Sequence, residues 1–291
     1  MMSRFAIGAF VLCLLVSCQA DDVPVESSSL TAASVQTVLA PDGVTIHYDD
    51  QGEGELALVF VHGWNCDRNY WNAQREFFAK SHRVVTLDLA GHGDSDQGRV
   101  DWTMQALGAD VAAVVTELDL HNVVLIGHSM GGKVVVEAAT QLKGRVVAVV
   151  GVDTFHNGGR ATPQPRRGEV LEQLAADYAG FVETLVDRMF VEQSDPAIKE
   201  FVKADMAVAP YASALGARNA SGNYDATPAI ASLDIPLILI SSDYVPTDVA
   251  HLETTAKAFD YREMSGVGHF VMLEDPESFN RHLAAALAEI T

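Results

Sequence analysis

Short apolar runs alternate with helical stretches along most of the chain. The runs are rich in Val, Ile and Leu without polar alternation, and they are Leu56–Val61, Arg83–Leu87, Val123–Ile126, Val146–Val152 and Pro236–Ile240. Strands of this kind are buried on both faces, which is typical of a parallel sheet covered by helices. The helical stretches between them are about Tyr70–Ala79, Thr103–Leu118, Gly132–Leu142 and Asp248–Ala258. The pattern predicts a doubly wound, mostly parallel α/β sheet.

Weaker signals extend this pattern at both ends. A Pro41-Asp42-Gly43 turn separates two strand candidates, Val35–Leu39 and Val44–Tyr48. Near the other end a short strand, Tyr261–Met264, precedes a final helix that starts around Pro276. We therefore expect one domain over residues 35–291.

One long stretch interrupts the alternation. Between Thr154 and Ser232 there is no strongly buried strand, and the gap is too long for a structureless loop. It opens with a segment rich in Gly, Pro and Arg, and then Val170–Phe190 and Pro196–Val208 have helical, amphipathic patterns. We expect a helical cap over about residues 155–232. Such a cap lies over the carboxyl ends of the strands, where open α/β sheets bind ligands.

The first residues have the pattern of an export signal. Arg4 precedes an apolar segment, Ala6–Val16, that is too short to span a bilayer. It leads into Leu15-Val16-Ser17-Cys18, which resembles the bacterial lipobox, so residues 1–17 are expected to be removed and Cys18 to be lipidated. An ordinary secretory peptide cut near Ala20 is the alternative. Residues 18–34 lack apolar periodicity and predict a flexible tether.

The residue after the lipobox cysteine favours an outer-membrane location. Gln19 stands where enterobacterial lipoproteins retained in the inner membrane have Asp. We therefore expect a lipid anchor in the cell envelope, at the outer membrane of a Gram-negative bacterium, with a secreted or periplasmic protein as the alternative. Apart from Cys13 and Cys18 the chain has only Cys66, so the mature domain has no internal disulfide.

The charge balance limits the kinds of partner that the protein is expected to bind. The 291 residues include 39 acidic and 19 basic side chains, giving a formal net charge of −20. Such a surface disfavours nucleic acid and anionic lipid, so we expect membrane contact only through the anchor. Hydrophobic residues make up 48% of the chain, enough for a sizeable core.

The sequence Gly127-His128-Ser129-Met130-Gly131 lies between a predicted strand and a predicted helix. A sharp strand-to-helix turn with Ser at its apex is a nucleophile elbow, which holds the hydroxyl clear of the sheet edge. Glycines two residues before and after Ser129 are expected because strand and helix approach too closely there for side chains.

Three further motifs follow predicted strands: Val61-His62-Gly63-Trp64, the segment from Leu87 to Ser95, and Gly266-Val267-Gly268-His269-Phe270. With the elbow, their order resembles the α/β-hydrolase superfamily, and in particular its esterase, lipase and haloperoxidase-like branch, over about residues 44–287. The resemblance implies Ser129 as nucleophile and His269 as its base. It also implies an oxyanion site made by the backbone N–H groups of Trp64 and Met130.

The acid that orients the base is less clearly marked. The resemblance places it after Pro236–Ile240, and Asp243 fits if that loop is two residues shorter than usual. Asp153, after the preceding strand, is the main alternative because some members place the acid there. Asp248 is a third candidate, although an Asp at that point is also an ordinary helix N-cap. We assign the acid to Asp243.

A serine nucleophile limits the chemistry. Branches of the superfamily that cleave halides or epoxides have a carboxylate at this position, and the dienelactone branch has Cys. We therefore expect a serine hydrolase acting on a carboxylic ester, lactone or thioester, with a small and apolar substrate suggested by Trp64, Phe155 and Phe270. The alternatives are an amide or peptide hydrolase, a receptor of the same fold that binds a ligand without turnover, and a structural surface lipoprotein. No metal-ligand spacing or dinucleotide fingerprint is present, so no cofactor is expected.

Overall fold

The computed structural model describes residues 34–290, so the predicted signal segment, Cys18 and nearly all of the tether lie outside the described residues. Eight strands form one sheet: β1 (Ser34–Leu39), β2 (Thr45–Gln51), β3 (Ala57–Val61), β4 (Arg83–Leu87), β5 (Val123–His128), β6 (Val146–Val152), β7 (Leu237–Ser242) and β8 (Phe259–Met264). Their spatial order is β1-β2-β4-β3-β5-β6-β7-β8. β1 and β2 pair antiparallel, β2 runs antiparallel to β4, and all other pairs are parallel. The predicted mostly parallel α/β sheet is confirmed.

Eleven α-helices accompany the sheet in the described part of the chain. They are α1 (Asn72–Phe78), α2 (Met104–Glu117), α3 (Met130–Gln141), α4 (Arg166–Ala176), α5 (Tyr178–Asp187), α6 (Pro196–Ala207), α7 (Tyr211–Asn223), α8 (Thr227–Ser232), α9 (Val249–Thr255), α10 (Val271–Glu274) and α11 (Pro276–Ile290). A short 3₁₀ helix, Arg68–Trp71, precedes α1. None of the helices within residues 34–290 is long and apolar enough to cross a membrane.

The central strands are inaccessible on both faces. Every residue of β3 and of β5 is buried, because helices cover the sheet from both sides. α3 packs on α2 and on β3, β5 and β6, whereas α1 and α11 pack on each other and on other strands. Burial of these Val, Ile and Leu side chains contributes roughly 1.5–3 kcal/mol each. The central strands are therefore a rigid base for the loops at their carboxyl ends.

Five helices, α4 to α8, occupy the predicted cap region between β6 and β7. The predicted helix over Val170–Phe190 is divided in two at Asp177. This residue leaves helical geometry (φ −151°), and its carboxylate caps α5 by accepting a hydrogen bond from the Gly180 amide. Helices α7 and α8 were not predicted, since α7 is rich in Ala, Gly and Asn and has little amphipathic contrast.

Candidate active site

The turn between β5 and α3 has the expected strained geometry. Ser129 has φ 54° and ψ −114°, a region that non-glycine residues rarely adopt. Its amide donates to the carbonyl of Val152 at 2.9 Å, and its carbonyl accepts from the Thr154 hydroxyl at 2.7 Å. Bonds to the segment after the neighbouring strand therefore hold the apex in place.

The flanking glycines are required for steric reasons. A Cβ on Gly127 would lie 2.3 Å from the carbonyl oxygen of Gly131, and a Cβ on Gly131 would lie 2.5 Å from the carbonyl oxygen of His62. Both contacts are with backbone, which cannot swing away. The predicted role of the two glycines is confirmed.

His269 is held by Asp153. The Nδ1–H of His269 donates to Asp153 Oδ2 at 2.6 Å, while Asp153 Oδ1 accepts from the amide and the hydroxyl of Ser242 at 2.8 and 2.9 Å. Burial by itself would raise the pKa of Asp153, but hydrogen bonds and charge from His156 and His269 hold it well below its ordinary value. Asp153 is thus an ionised, buried acceptor that fixes the orientation of the His269 ring through its Nδ1–H.

The assignment of Asp243 as the partner of His269 is wrong. Asp243 is exposed, and within residues 34–290 its carboxylate accepts a single long hydrogen bond, 3.3 Å, from the amide of Gly266. Asp248, the third candidate, accepts from the His251 amide as the N-cap of α9 and pairs with Arg160. The alternative, Asp153, reaches His269 because a positive φ of 42° turns it inward directly after β6.

The loop that carries His269 is fixed at several backbone positions. The His269 amide donates to the carbonyl of Met189, just beyond α5, at 2.7 Å. The His269 carbonyl accepts from His128 Nε2–H at 3.0 Å, and burial lowers the pKa of His128 to about 3, so its ring is neutral. The carboxylate of Glu274 accepts from the amides of Gly268 and Phe270. Sequence patterns did not indicate Glu274, which is a polar residue on a one-turn helix.

Three possible ligand atoms for a cation, from Asp153, His156 and His269, lie within 4.8 Å of one another. His156 Nε2 is 3.4 Å from Asp153 Oδ2, and its Nδ1 lies 3.1 Å from the Thr247 hydroxyl. A tetrahedral zinc ion would separate its N and O ligands by about 3.3 Å, given bonds of about 2.0 Å. The 2.6 Å between His269 Nδ1 and Asp153 Oδ2 is instead a direct hydrogen bond, whereas His156 Nε2 makes no hydrogen bond of acceptable geometry among the described residues.

The loop after β3 reaches the elbow. A Cβ on Gly63 would lie 3.3 Å from the Cβ of Ser129, so the loop backbone passes directly beside the serine. His62 fixes this loop, since its Nε2 accepts from the Leu89 amide and its Nδ1–H donates to the Gly63 carbonyl at 2.7 Å. Met130 is the first residue of α3, where amides have no acceptor within the helix. The structure therefore brings the loop after β3 and the start of α3 next to Ser129, and the amides of Trp64 and Met130 remain the predicted donors.

Two cavities meet at Ser129 and His269. The larger has a volume of about 610 Å³ and runs under α4 and α7. The smaller, of about 20 Å³, lies on the other side of the serine against Trp64 and Phe270. A pocket of several hundred Å³ accommodates a small organic molecule.

The Alpha/beta hydrolase family model matches residues 58–282, most of the chain. The chain belongs to the alpha/beta hydrolase family. Among curated relatives, a non-heme chloroperoxidase of Streptomyces lividans is 41% identical over 117 residues, which are 39% of this chain and 42% of that protein. The (E)-2-((N-methylformamido)methylene)succinate hydrolase of Acinetobacter baylyi is 28% identical over 87% of this chain and 97% of its own length.

A solved esterase from Thermogutta terrifontis superimposes on this chain with a TM-score of 0.78, at 25% identity, covering 89% of this chain and 99% of that one. Other curated relatives, including the chloroperoxidase of Streptomyces lividans, share a shorter region, and the chain spans only 35–43% of their length. The comparisons therefore place the chain in a family of esterases, haloperoxidases and other hydrolases and support hydrolase activity in general terms.

Several residues that line the larger cavity were not predicted from the sequence. These are His156 and the basic side chains Lys133, Arg166, Arg167 and Arg218. Arg166 and Arg167 belong to the segment rich in Gly, Pro and Arg that opens the long insertion. Nothing in the spacing of Lys133 or Arg218 indicated a site. Of the aromatic residues, Phe155 lines this cavity, while Phe270 stacks on Phe190 beside the smaller one.

Proposed function

We propose that the protein is a serine hydrolase that cleaves a carboxylic ester, or a lactone or thioester, through an acyl-enzyme at Ser129. The observation that carries this proposal is the pairing of buried Asp153 with the Nδ1–H of His269, beside a serine at the apex of a strained elbow. Ser129 and His269 line the same two cavities, which supports the Nε2 of His269 as the base in this proposal.

The steps follow from these positions. His269 Nε2 takes the proton of the Ser129 hydroxyl as the oxygen attacks the acyl carbon, and Asp153 stabilises the imidazolium that forms. The amides of Trp64 and Met130 stabilise the negative oxygen, each contributing about 10²–10³ in rate. His269 then protonates the leaving alcohol. Water, activated by the same base, breaks the acyl-Ser129 bond and restores the hydroxyl.

The relatives are consistent with this chemistry. One is described as a bifunctional esterase/perhydrolase of Acinetobacter calcoaceticus, and one structural neighbour, Est816, as an N-acyl homoserine lactone degrading enzyme. Both names describe other proteins, and they support acyl transfer here because the family is shared.

Labelling with a fluorophosphonate tests the nucleophile. We expect wild-type protein to become labelled and to turn over 4-nitrophenyl acetate steadily, and Ser129→Ala to lose both properties. Ser232→Ala, at an exposed serine that ends α8, is the matched control and should keep them. Labelling with at most one turnover would favour a receptor that binds without hydrolysis. A folded protein that resists labelling would refute the proposal.

We also propose that Cys18 is lipidated and anchors the protein in the cell envelope, at the outer membrane of a Gram-negative bacterium. The support is the lipobox-like Leu15-Val16-Ser17-Cys18. Cells given an alkyne fatty acid should incorporate it into the wild type and not into Cys18→Ser. Equal labelling of the two proteins, or none, would contradict the anchor, and membrane fractionation would identify the membrane.

A further inference from the structure

The larger cavity over Ser129 gathers basic side chains from three elements. Lys133 comes from α3, Arg166 and Arg167 from α4, and Arg218 from α7. The whole chain has a formal net charge of −20. A cavity wall with four cations is therefore opposite in sign to the rest of the molecule.

None of these four cations forms an ion pair within the described residues. Most other arginines there do pair with carboxylates, namely Arg68, Arg75, Arg83, Arg99, Arg145, Arg160 and Arg262. On the same wall, the carboxylate of Asp153 is engaged by His269. Apart from Asp225, whose charge acts on Lys133 without forming an ion pair, the positive charge of the cavity has no counter-ion among the described residues.

Arg218 is the most distinctive member. Its guanidinium lies 5.2 Å from the centre of the Trp64 ring, and it has no hydrogen-bond partner in the described part of the chain. Burial, together with the charge of Arg166, lowers the pKa of Arg218. A planar guanidinium with free N–H donors matches a carboxylate in geometry and charge. Arg218 also lines the smaller cavity, so it lies close to the reacting serine.

Lys133 adds a second partly buried charge. Its Nζ donates to the carbonyls of Ser221 and Tyr224 at 2.9 and 3.0 Å, which leaves one of its three N–H donors for a ligand. Burial, opposed by Asp225 and assisted by Arg218, lowers the pKa of Lys133 to about 8. Removing such charges from water costs free energy, and a bound anion would offset that cost.

We propose that the substrate cleaved at Ser129 carries a carboxylate, which is bound by Arg218 and Lys133 with Arg166 and Arg167 at the entrance. The substrate class is then an ester or lactone with a free acid group, such as a monoester of a dicarboxylic acid or an acyl ester of a hydroxy acid. This inference rests on the proposed function. The carboxylate is a recognition group only: water adds across the ester bond, which yields an acid and an alcohol.

Substrate pairs that differ only in charge test this proposal. The first pair is ethyl hydrogen adipate and its ω-carboxamide, and the second is 3-acetoxypropanoate and its amide, so the carboxylate lies on the acyl side in one and on the alcohol side in the other. Hydrolysis is followed by proton release at about pH 7. We expect kcat/KM to favour the carboxylate member of at least one pair by about tenfold or more, as a charge-assisted hydrogen bond implies.

Variants of the basic residues test which side chains cause the preference for a carboxylate. Arg218→Gln, and separately the double variant Arg166→Gln/Arg167→Gln on the more exposed α4 positions, should lower the carboxylate-to-amide ratio towards one. Arg188→Gln is the matched control: it removes an exposed, unpaired arginine at the end of α5, outside the cavity lining, and should leave the ratio unchanged. The double variant keeps the test valid if Arg218→Gln does not fold.

Failure of this inference differs from failure of the proposed function. The inference of an anionic substrate is overturned alone if turnover depends on Ser129 but neither carboxylate is preferred. It is also overturned if a preference for a carboxylate survives both sets of variants. Absence of any Ser129-dependent turnover counts against the hydrolase. In that event, titration calorimetry of adipate against the wild type and Arg218→Gln decides the anion site: binding weakened by the variant supports it, and no binding refutes it.

Discussion

At the scale of single residues, the site depends on backbone conformations that the rest of the fold imposes. Ser129, Asp153 and Phe155 all have positive φ angles, although none is a glycine. Each conformation costs on the order of 1–3 kcal/mol, which the surrounding sheet must offset. At Asp153 the result is a carboxylate turned back from the end of β6 toward His269.

The position of Asp153 predicts how the acid responds to substitution. Asp153→Asn should leave the fold intact but lower kcat by on the order of 10³–10⁴-fold, because an amide does not hold His269 in the productive tautomer. Asp243→Asn, which changes an exposed carboxylate, is the matched control and should keep nearly the wild-type rate. Steady-state kinetics with 4-nitrophenyl acetate measure both, and the reverse order of effects would contradict the assignment of Asp153.

Lys133 predicts a pH dependence of substrate choice. Because the pKa of Lys133 is about 8, the ammonium is charged at pH 7 and loses its proton as the pH rises toward about 9. The groups around it are Arg218, Asp225 and Tyr224, and burial raises the pKa of Tyr224. The carboxylate-to-amide ratio of kcat/KM should therefore fall severalfold over this range. Lys133→Met should flatten the profile, and a flat wild-type profile would argue against Lys133 as a ligand.

At the scale of elements, the helical insertion supports the catalytic loop as well as covering the site. The segment after α5 provides the carbonyl of Met189, which accepts from the His269 amide, and the ring of Phe190, which stacks on Phe270. Gly268 lies against this segment, since a Cβ there would be 2.3 Å from the Met189 oxygen. Movement of the insertion would consequently move the base.

This contact predicts that Gly268→Ala is more harmful to catalysis than to folding. The added methyl group meets a backbone carbonyl, so the loop must shift, and a displacement near 1 Å costs about 10²-fold in rate. Gly98→Ala is the matched control because nothing lies within 4 Å of its Cβ position. Turnover and thermal melting of both variants are the measurements. Unchanged turnover in Gly268→Ala would show that the loop tolerates the shift.

At the scale of the whole molecule, charge is distributed unevenly. Many acidic side chains pair with arginines, as Asp110 does with Arg99 in a buried bidentate contact, but a large negative excess remains at the surface. Excess charge of one sign repels itself and destabilises the compact state. The cationic cavity is then a local feature that acts over a short range, because salt screens charges beyond about 8 Å under physiological conditions.

The charge excess predicts that moderate salt stabilises the fold. Raising NaCl from about 20 mM to about 500 mM should raise the melting temperature by a few degrees, since repulsion is screened while exposed ion pairs contribute at most about 1 kcal/mol each. Calorimetry measures the shift, and sucrose at equal osmolarity is the control for non-electrostatic effects. A melting temperature that falls with salt would mean that ion pairs outweigh repulsion.

The sequence determined what depends on local pattern and steric rules. Buried runs of Val, Ile and Leu set the parallel strands, and the glycines at 127 and 131 marked the elbow because no other residue fits there. The family of the chain followed from the order of such motifs. The helix break at Asp177 was also local in origin, but the amphipathic pattern continues across it and concealed it.

Only the tertiary structure decided which distant groups meet. The acid was ambiguous because Asp153 and Asp243 both follow strands that end at the same edge of the sheet, and the choice depends on the turn at Asp153 and on the hydrogen bonds from Ser242. The charge of the cavity was equally hidden, since Lys133 and Arg218 belong to separate helices. Contacts between side chains far apart in sequence are set by the packing of whole elements, and no local pattern records that packing.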